Sequence, residues 1–189
     1  MRPYTAAEEI AARLSVANNA DTSRSLVEER FDRLLALNGP ALVRLAASYT
    51  NTAADRDDLF QEIVLALWRA LAGFRGECSE RTFLFRIAHN RGMAHLSKRS
   101  KPSASADDGL LLPDPRPGPE QELAQEQERE RLLYAIRQLP LLYRQVITLA
   151  LEGFSYSEIA EVAGVTENNV GVRLNRARQL LRDLMEIPK

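Results

Sequence analysis

The sequence is poor in cysteine and aromatic residues and has no long apolar run. Cys78 is the single cysteine among 189 residues, which excludes an intramolecular disulfide and favours a reducing compartment. No apolar stretch approaches the roughly 20 residues that span a bilayer. The first residues also lack the pattern of a secretory signal. We therefore expect a cytoplasmic protein without membrane insertion.

The chain also lacks an overall excess of positive charge, since its formal net charge is −1. Residues 25–101 carry 12 Lys and Arg against 9 Asp and Glu, and residues 132–189 carry 7 against 6. Residues 102–131 between them carry 3 against 8. Any surface that binds nucleic acid must therefore be local.

Candidate catalytic groups are equally scarce. Cys78, His89 and His95 form no nucleophile–base pair and no metal-ligand pattern. The two histidines are six positions apart, so they do not lie above one another on a helix. We predict that the protein is not an enzyme and uses no cofactor or metal.

Helical periodicity runs through most of the chain, and no strand-type alternation occurs. We predict an all-α protein of two small helical domains. Five prolines and two glycines in 102–119 indicate a flexible acidic linker. The predicted organisation is a mobile N-terminal extension at 1–24, a first domain at 25–101, the linker at 102–119 and a second domain at 120–187.

Two helix ends are predicted near the start of the chain. The run from Asn18 to Asp21 should break a short helix in the extension. Asn38-Gly39-Pro40 should end the next helix, with Pro40 in the first turn of the helix that follows. The helix between them has an apolar face that we assign to the core, formed by Leu26, Phe31, Leu34, Leu35 and Leu37.

Residues 155–178 have the pattern of a helix-turn-helix. Ile159 and Ala160 face inward on the first helix, Gly164 permits a left-handed turn, and Thr166 is a typical N-cap of the second helix. Such a second helix can enter the major groove of DNA. An ordinary αα-corner is the alternative.

The predicted helix from Ala53 to Ala72 carries an acidic face. Asp58, Gln61, Glu62 and Leu65 stand at i, i+3, i+4 and i+7, hence on one side. Such a face suits docking against a basic, partly apolar helix. A merely solvated face is the alternative that the pattern alone leaves open.

Two stretches resemble the small, extracytoplasmic-function (ECF) sigma factors of bacterial RNA polymerase. DDLFQEIVLALW at 57–68 with FLFRIAHN at 83–90 is similar to region 2 of that family. LPLLYRQV at 139–146 with the helix-turn-helix is similar to region 4. The resemblance implies a subunit that binds polymerase core, reads the −35 and −10 promoter elements and helps to melt DNA.

The resemblance also assigns roles to residues. It implies contact with the β′ clamp helices of the polymerase through Asp58, Gln61, Glu62 and Leu65. It implies contact with the −10 element through Arg75, Ser79, Arg86, Asn90, Arg91, His95, Lys98 and Arg99. It implies contact with the −35 element through Arg144, Ser157, Thr166, Asn168, Asn169, Val172, Arg173, Arg176 and Arg178. The β flap and an anti-sigma factor are further implied partners.

Several positions depart from the family pattern. Phe83 stands where tryptophan is usual, Asn168-Asn169 where Gly-Thr is usual, and Gly171-Val172 where a basic residue and serine are usual. Two other functions therefore stay open. One is a sigma-like decoy that sequesters an anti-sigma factor. The other is a stand-alone helix-turn-helix regulator.

Overall fold

The part of the chain that the structure describes is built from seven helices. This computed structural model describes the backbone of residues 6–99 and 120–186, and the side chains of 25–98 and 127–186. The helices are α1 (Ala6–Tyr49), α2 (Ala53–Leu71), α3 (Glu80–Arg99), α4 (Glu120–Gln138), α5 (Leu141–Leu151), α6 (Tyr156–Ala163) and α7 (Glu167–Glu186). The all-α prediction is confirmed, and the predicted linker lies outside the described residues.

Helices α1–α3 pack together as a first lobe. Their facing sides supply side chains that are almost fully removed from water, namely Leu42, Leu45, Leu59, Ile63, Leu67, Leu84 and Phe85. Local chemistry fixes where the helices start. The Thr52 hydroxyl accepts from the Asp55 backbone N–H at 3.0 Å and caps α2, and the Ser79 hydroxyl accepts from the Thr82 N–H at 2.9 Å at the start of α3.

Helix α1 is continuous, so both predicted helix ends near the start of the chain are wrong. Pro40 lies inside α1, where a proline costs about 3 kcal/mol. Leu34 before it and Leu42 and Leu45 after it are all buried in the same core. Each such burial contributes roughly 1.5–3 kcal/mol, which outweighs the loss at the proline. The backbone of 18–21 is helical as well, since Asn and Asp cost less than about 0.7 kcal/mol each within a helix.

The apolar face predicted for the residues before Pro40 is also partly wrong, because two of its five residues are exposed. Leu26 is 61% exposed and Leu37 is 74% exposed, whereas Leu34 is buried. The buried stripe follows the spacing Leu34, Ala41, Leu45 along the uninterrupted helix, and the other two leucines lie to its side.

Helices α4–α7 form a second lobe that contains the predicted helix-turn-helix. Ser155 caps α6 in a capping box with Glu158, whose pKa is held below its usual value by hydrogen bonds from the Ser155 backbone and hydroxyl. Gly164 ends α6 in the left-handed conformation, with φ of 66°. The Thr166 hydroxyl accepts from the Asn169 N–H at 3.4 Å at the start of α7. The helix-turn-helix geometry is therefore confirmed.

The two lobes touch each other. Helix α6 packs on α3, while α4 and α5 pack on the C-terminal end of α1. Phe85 of α3 and Phe154 of the α5–α6 turn meet edge to face, with ring centroids 4.7 Å apart. One apolar cluster therefore continues from the first lobe into the second. Within the described ranges, no helix has both the length and the apolar composition needed to cross a membrane.

Candidate nucleic-acid interface

The N-terminal half of α7 presents a polar and basic face. Thr166, Glu167, Asn168 and Asn169 are exposed around its first turn, and Val172 is 51% exposed. Further along, Arg176 and Arg178 are exposed and Arg173 is half-buried. The opposite stripe is buried against α5 and α6 through Val170, Leu174 and Ala177. This arrangement leaves side chains that can pair with bases or phosphates directed away from the core.

An aromatic side chain that sequence reasoning missed lies beside this face. Tyr156, in the first turn of α6, is 43% exposed. A Cβ on Gly171 would lie 3.6 Å from its Cε2 atom, so the ring rests against the second turn of α7. Ser157 is exposed next to it, 3.1 Å from the Ser155 hydroxyl. A tyrosine that starts a helix gives no periodic signal, which is why the sequence did not reveal it.

Arg144 is placed differently from the rest of the set predicted for the −35 element. Its guanidinium is half-buried between the lobes and donates to the Ser48 carbonyl at 3.3 Å, to the Leu139 carbonyl at 3.1 Å and to the Arg137 carbonyl. Burial lowers the pKa of Arg144. In this arrangement Arg144 holds the lobes together and is not available to a duplex.

Helix α3 carries the residues predicted for the −10 element. Asn90, Arg91 and Lys98 are exposed and His95 is half-buried, whereas the side chain of Arg99 lies outside the described residues. These four described side chains leave a polar and basic strip along the outer side of α3. The strip meets the acidic face of α2, where Lys98 Nζ is 3.8 Å from Glu62 Oε1.

Arg86 is the exception on α3. It is half-buried and its Nη2 atom donates to Glu161 Oε1 of α6 at 2.8 Å. In the preceding loop, Arg75 and Ser79 are both exposed. The Ser79 hydroxyl also lies 2.7 Å from the Thr82 hydroxyl, so it is engaged at the start of α3.

The loop before α3 is braced from both sides. Phe83 packs on Phe74 with ring centroids 4.4 Å apart, and the Arg30 guanidinium lies 4.8 Å above the Phe74 ring. Glu80 accepts from Arg30 at 2.6 Å and from Arg33 at 3.0 Å. Burial opposes ionisation of Glu80, but the hydrogen bonds and the positive charges of Arg33 and Arg30 together outweigh it and lower the pKa of Glu80. Phe85 is fully buried and Phe83 packs against the same core, so both phenylalanines of α3 serve packing.

A buried pair anchors α3 to the end of α1. The Tyr49 hydroxyl lies 2.8 Å from His89 Nδ1, and both side chains are nearly inaccessible to water. Burial lowers the pKa of His89 to about 4 and raises that of Tyr49, so both groups are neutral near pH 7. Gly92, one turn further along α3, allows the Tyr49 ring to approach closely. His89 is therefore a structural residue.

The predicted acidic face of α2 is open to solvent. Asp58 and Gln61 are exposed, Leu65 is 54% exposed and Glu62 is half-buried. Trp68 extends the same side by one turn. Its ring meets Phe31 edge to face at 5.0 Å, yet 37% of the residue remains exposed. The face therefore combines acidic, amide and large apolar groups.

Comparison with protein families identifies both lobes. The family model described as Sigma-70 region 2 matches residues 34–101, and the model described as Sigma-70, region 4 matches residues 129–181. The first match covers most of the first lobe and the second contains the helix-turn-helix.

Individual relatives agree with these matches. The chain is 31% identical over 165 residues to the RNA polymerase sigma factor NccH of Alcaligenes xylosoxydans xylosoxydans, covering 82% of this chain and 87% of that protein. It is 29% identical over 164 residues to the ECF RNA polymerase sigma-E factor of Escherichia coli K12, covering 82% and 85%. The solved sigma factor RpoE of Bartonella quintana, in complex with the anti-sigma factor NepR, matches with a TM-score of 0.66 and 25% identity, covering 85% and 99%.

Proposed function

The chain belongs to the RNA polymerase sigma factors of the ECF type, and we propose that it directs polymerase core to its own set of promoters. In this proposal residues 25–101 bind core and the −10 element, and residues 120–187 bind the −35 element. Residues 102–119 tether the two, which raises the effective concentration of each domain for its site. The observation that carries the proposal is the presence of two different exposed faces, one acidic and apolar on α2 and one polar and basic on α7.

The α2 face supports core binding. Asp58 and Glu62 supply negative charge, Gln61 supplies an amide, and Leu65 and Trp68 supply exposed apolar surface. Exposed apolar groups ringed by charge are typical of protein-interaction sites. A basic, partly apolar helix is the matching partner, and the clamp helices of β′ fill that role in the family.

The α7 face supports recognition of the −35 element in the major groove. Asn168 and Asn169 suit pairing with adenine, and Arg173 suits pairing with guanine. Arg176 and Arg178 lie on exposed positions further along the helix and suit phosphates. Thr166 and Ser157 flank this face, and their hydroxyl groups can donate hydrogen bonds to the DNA phosphates.

The α3 strip supports engagement of the −10 element. Asn90, Arg91 and Lys98 are exposed along one helix, close to the braced loop that carries Arg75. Positive charge attracts the phosphates, and polar groups in a rigid loop can hold an unstacked base. Extruding a base costs a few kcal/mol, so a preformed loop helps promoter opening.

A regulator is the remaining partner in the proposal. The related RpoE of Bartonella quintana was solved with the anti-sigma factor NepR. We propose that an anti-sigma protein also binds this chain. If capture of such a protein were its whole role, the chain would be a decoy that binds neither core nor promoter.

In vitro transcription tests the proposal. The purified chain is combined with polymerase core and a fragmented genomic template, and transcripts are mapped. Initiation at a defined set of promoters supports the proposed function. Specific DNA binding without core indicates a stand-alone regulator. Binding to neither, together with capture of an anti-sigma protein, indicates a decoy.

A charge reversal tests the α2 face. Asp58→Arg with Glu62→Arg should abolish core binding, because it places positive charge opposite a basic partner. Glu128→Arg with Glu130→Arg is the matched control: it also reverses two exposed charges, but on α4. Binding is measured by co-elution with core, and circular dichroism checks the fold. Undiminished core affinity in the double variant would remove the α2 face from the proposal.

A further inference from the structure

An apolar side chain lies in the middle of the polar outer face of α7. Val172 is 51% exposed and is the sixth residue of that helix. Its neighbours on the same face stand one turn away, because residues three or four apart are adjacent on a helix surface. They are Asn168 on one side and Asn175 and Arg176 on the other, and all three are exposed. Val172 therefore projects from the centre of the face proposed to read DNA.

The core of the second lobe is closed without Val172. The stripe of α7 that faces the core consists of Val170, Leu174 and Ala177, all fully buried. Val172 is two residues away from both Val170 and Leu174, which places it about half a helical turn around the axis. A β-branched residue is also a weaker helix former than alanine. Neither core packing nor helix propensity therefore accounts for a valine at this position.

One flank of Val172 is apolar as well. Gly171, the preceding residue, adds no side chain. The Tyr156 ring rests against the same turn of α7, since a Cβ on Gly171 would lie 3.6 Å from its Cε2 atom. Tyr156 is itself 43% exposed. A small apolar group that reached Val172 would therefore leave water for a largely apolar surface.

The chemistry of base edges selects the group that suits this surface. The major-groove edges of adenine, guanine and cytosine present hydrogen-bond donors and acceptors, whereas thymine adds a C5-methyl group. Valine has no polar atom in its side chain. Placed against a donor or acceptor, it would remove that group from water and leave it unpaired, which is unfavourable. Placed against the thymine methyl group, it buries apolar surface on both sides.

The length of the polar face limits where such a thymine can lie. The eight residues from Asn168 to Arg176 rise about 12 Å along the helix axis, which matches three to four base-pair steps of about 3.4 Å. Val172 lies halfway between these two residues. A thymine in contact with Val172 would therefore lie within about two base pairs of the base that faces Asn168.

We propose that Val172 sets part of the sequence preference of this chain by contacting the C5-methyl group of a thymine in the −35 element. The inference rests on the proposed function, because it names a base that the α7 face reads. It concerns this chain in particular, since the family pattern has serine at this position. A serine hydroxyl can pair with several bases, whereas the valine methyl groups favour thymine alone.

Replacement of thymine by deoxyuridine tests the contact, because it removes the C5-methyl group and leaves base pairing intact. The duplex is a promoter mapped by in vitro transcription with core or, if no initiation occurs, a site selected from a random pool by the chain alone. Each thymine of the −35 element is replaced in turn on both strands. Replacement of one particular thymine should weaken binding about fourfold, the effect of losing one buried methyl group.

Two variants that differ by a single methyl group provide the matched comparison. Val172→Thr keeps one methyl group and adds a hydroxyl group, whereas Val172→Ser has the hydroxyl group alone. Val172→Thr should retain most of the deoxyuridine effect, and Val172→Ser should bind the thymine and deoxyuridine duplexes equally. Asn175→Ala is the control, since it truncates an exposed neighbour and should leave the fourfold effect in place. Circular dichroism checks that each variant keeps its helicity.

The outcomes separate the base contact from the proposed function. A −35 element without thymine, no effect of any replacement, or an equal effect in Val172→Ser overturns the contact, while core-dependent initiation leaves the proposed function standing. A deoxyuridine effect that depends on Val172 at a site selected by the chain alone, without initiation by core, supports the contact and overturns the proposed function. Selection of no sequence with or without core overturns both.

Discussion

Two glycines inside helices should respond in opposite directions to the same substitution. Gly92 lies in α3 and Gly171 in α7, and each lowers helix stability by about 1 kcal/mol relative to alanine. Propensity alone therefore predicts that Gly92→Ala and Gly171→Ala both stabilise the protein. The surroundings of Gly92 reverse that expectation, whereas those of Gly171 do not.

At Gly92 an added Cβ would meet the Tyr49 ring. It would lie 2.5 Å from Cδ2, 2.7 Å from Cγ and 2.8 Å from Cε2, well inside normal contact distance. The ring is 2% exposed and its hydroxyl is bound to His89, so it has little room to move. Overpacking costs about 1–3 kcal/mol, and disturbing the hydrogen bond costs about 1 kcal/mol more. After the propensity gain, Gly92→Ala should destabilise the protein by roughly 1–3 kcal/mol.

At Gly171 the same Cβ would lie 3.6 Å from Tyr156 Cε2, an ordinary van der Waals contact. Gly171→Ala should therefore stabilise the protein by about 1 kcal/mol. The two variants should differ by roughly 2–4 kcal/mol in the free energy of unfolding. Denaturant unfolding followed by circular dichroism measures this difference.

A double-mutant cycle tests whether the Tyr49 ring causes the destabilisation predicted for Gly92→Ala. In a Tyr49→Ala background the ring is absent, so the cost of Gly92→Ala should disappear and leave only the propensity gain. Gly92→Ala with the stability of the parent or better would refute the steric argument. An equal cost with and without the tyrosine ring would do so too.

Three further predictions concern stability and DNA binding. The pKa of His89 is about 4 in the folded state and near 6.5 in the unfolded state, so the unfolded state binds more protons between these values. The free energy of unfolding should therefore be full above about pH 6.5 and fall by about 2 kcal/mol by pH 5. This loss should be absent in His89→Gln when unfolding is measured at both pH values. Ser155→Ala removes the capping box and should lower the free energy of unfolding by about 1 kcal/mol, as measured by thermal unfolding. Ser157→Ala should leave it almost unchanged. Equal effects of the two substitutions would contradict the capping argument. Arg176→Ala should weaken binding of the core complex to all −35 sequences alike. It should also reduce the slope of log binding constant against log salt concentration by about 0.9. A loss confined to some sequences would instead show that Arg176 contacts a base.

The sequence predicted those features that depend on neighbours along the chain. Ser155, Gly164 and Thr166 stand at helix ends, where each acts through a hydrogen bond or a backbone angle within a few residues. These short-range requirements leave a recognisable pattern. Hence the helix-turn-helix was predictable.

The features that the sequence did not predict depend on distant partners. Pro40 fits a helix start by local rules, and only the shared burial of Leu34 and Leu42 keeps α1 continuous across it. The pairing of Arg44 with Glu152 joins residues 108 positions apart, and no local pattern encodes it. For the same reason the sequence shows which arginines could bind DNA, but it does not show which of them already make contacts within the protein.

The internal engagement of Arg86 and Arg144 has a consequence at the scale of the chromosome. A genome offers about 10⁶–10⁹ non-specific sites, and affinity for them comes from the same arginine–phosphate contacts that support specific binding. In the proposed function, two inward-turned arginines leave fewer phosphate contacts to non-specific DNA, so less of the population is held away from polymerase.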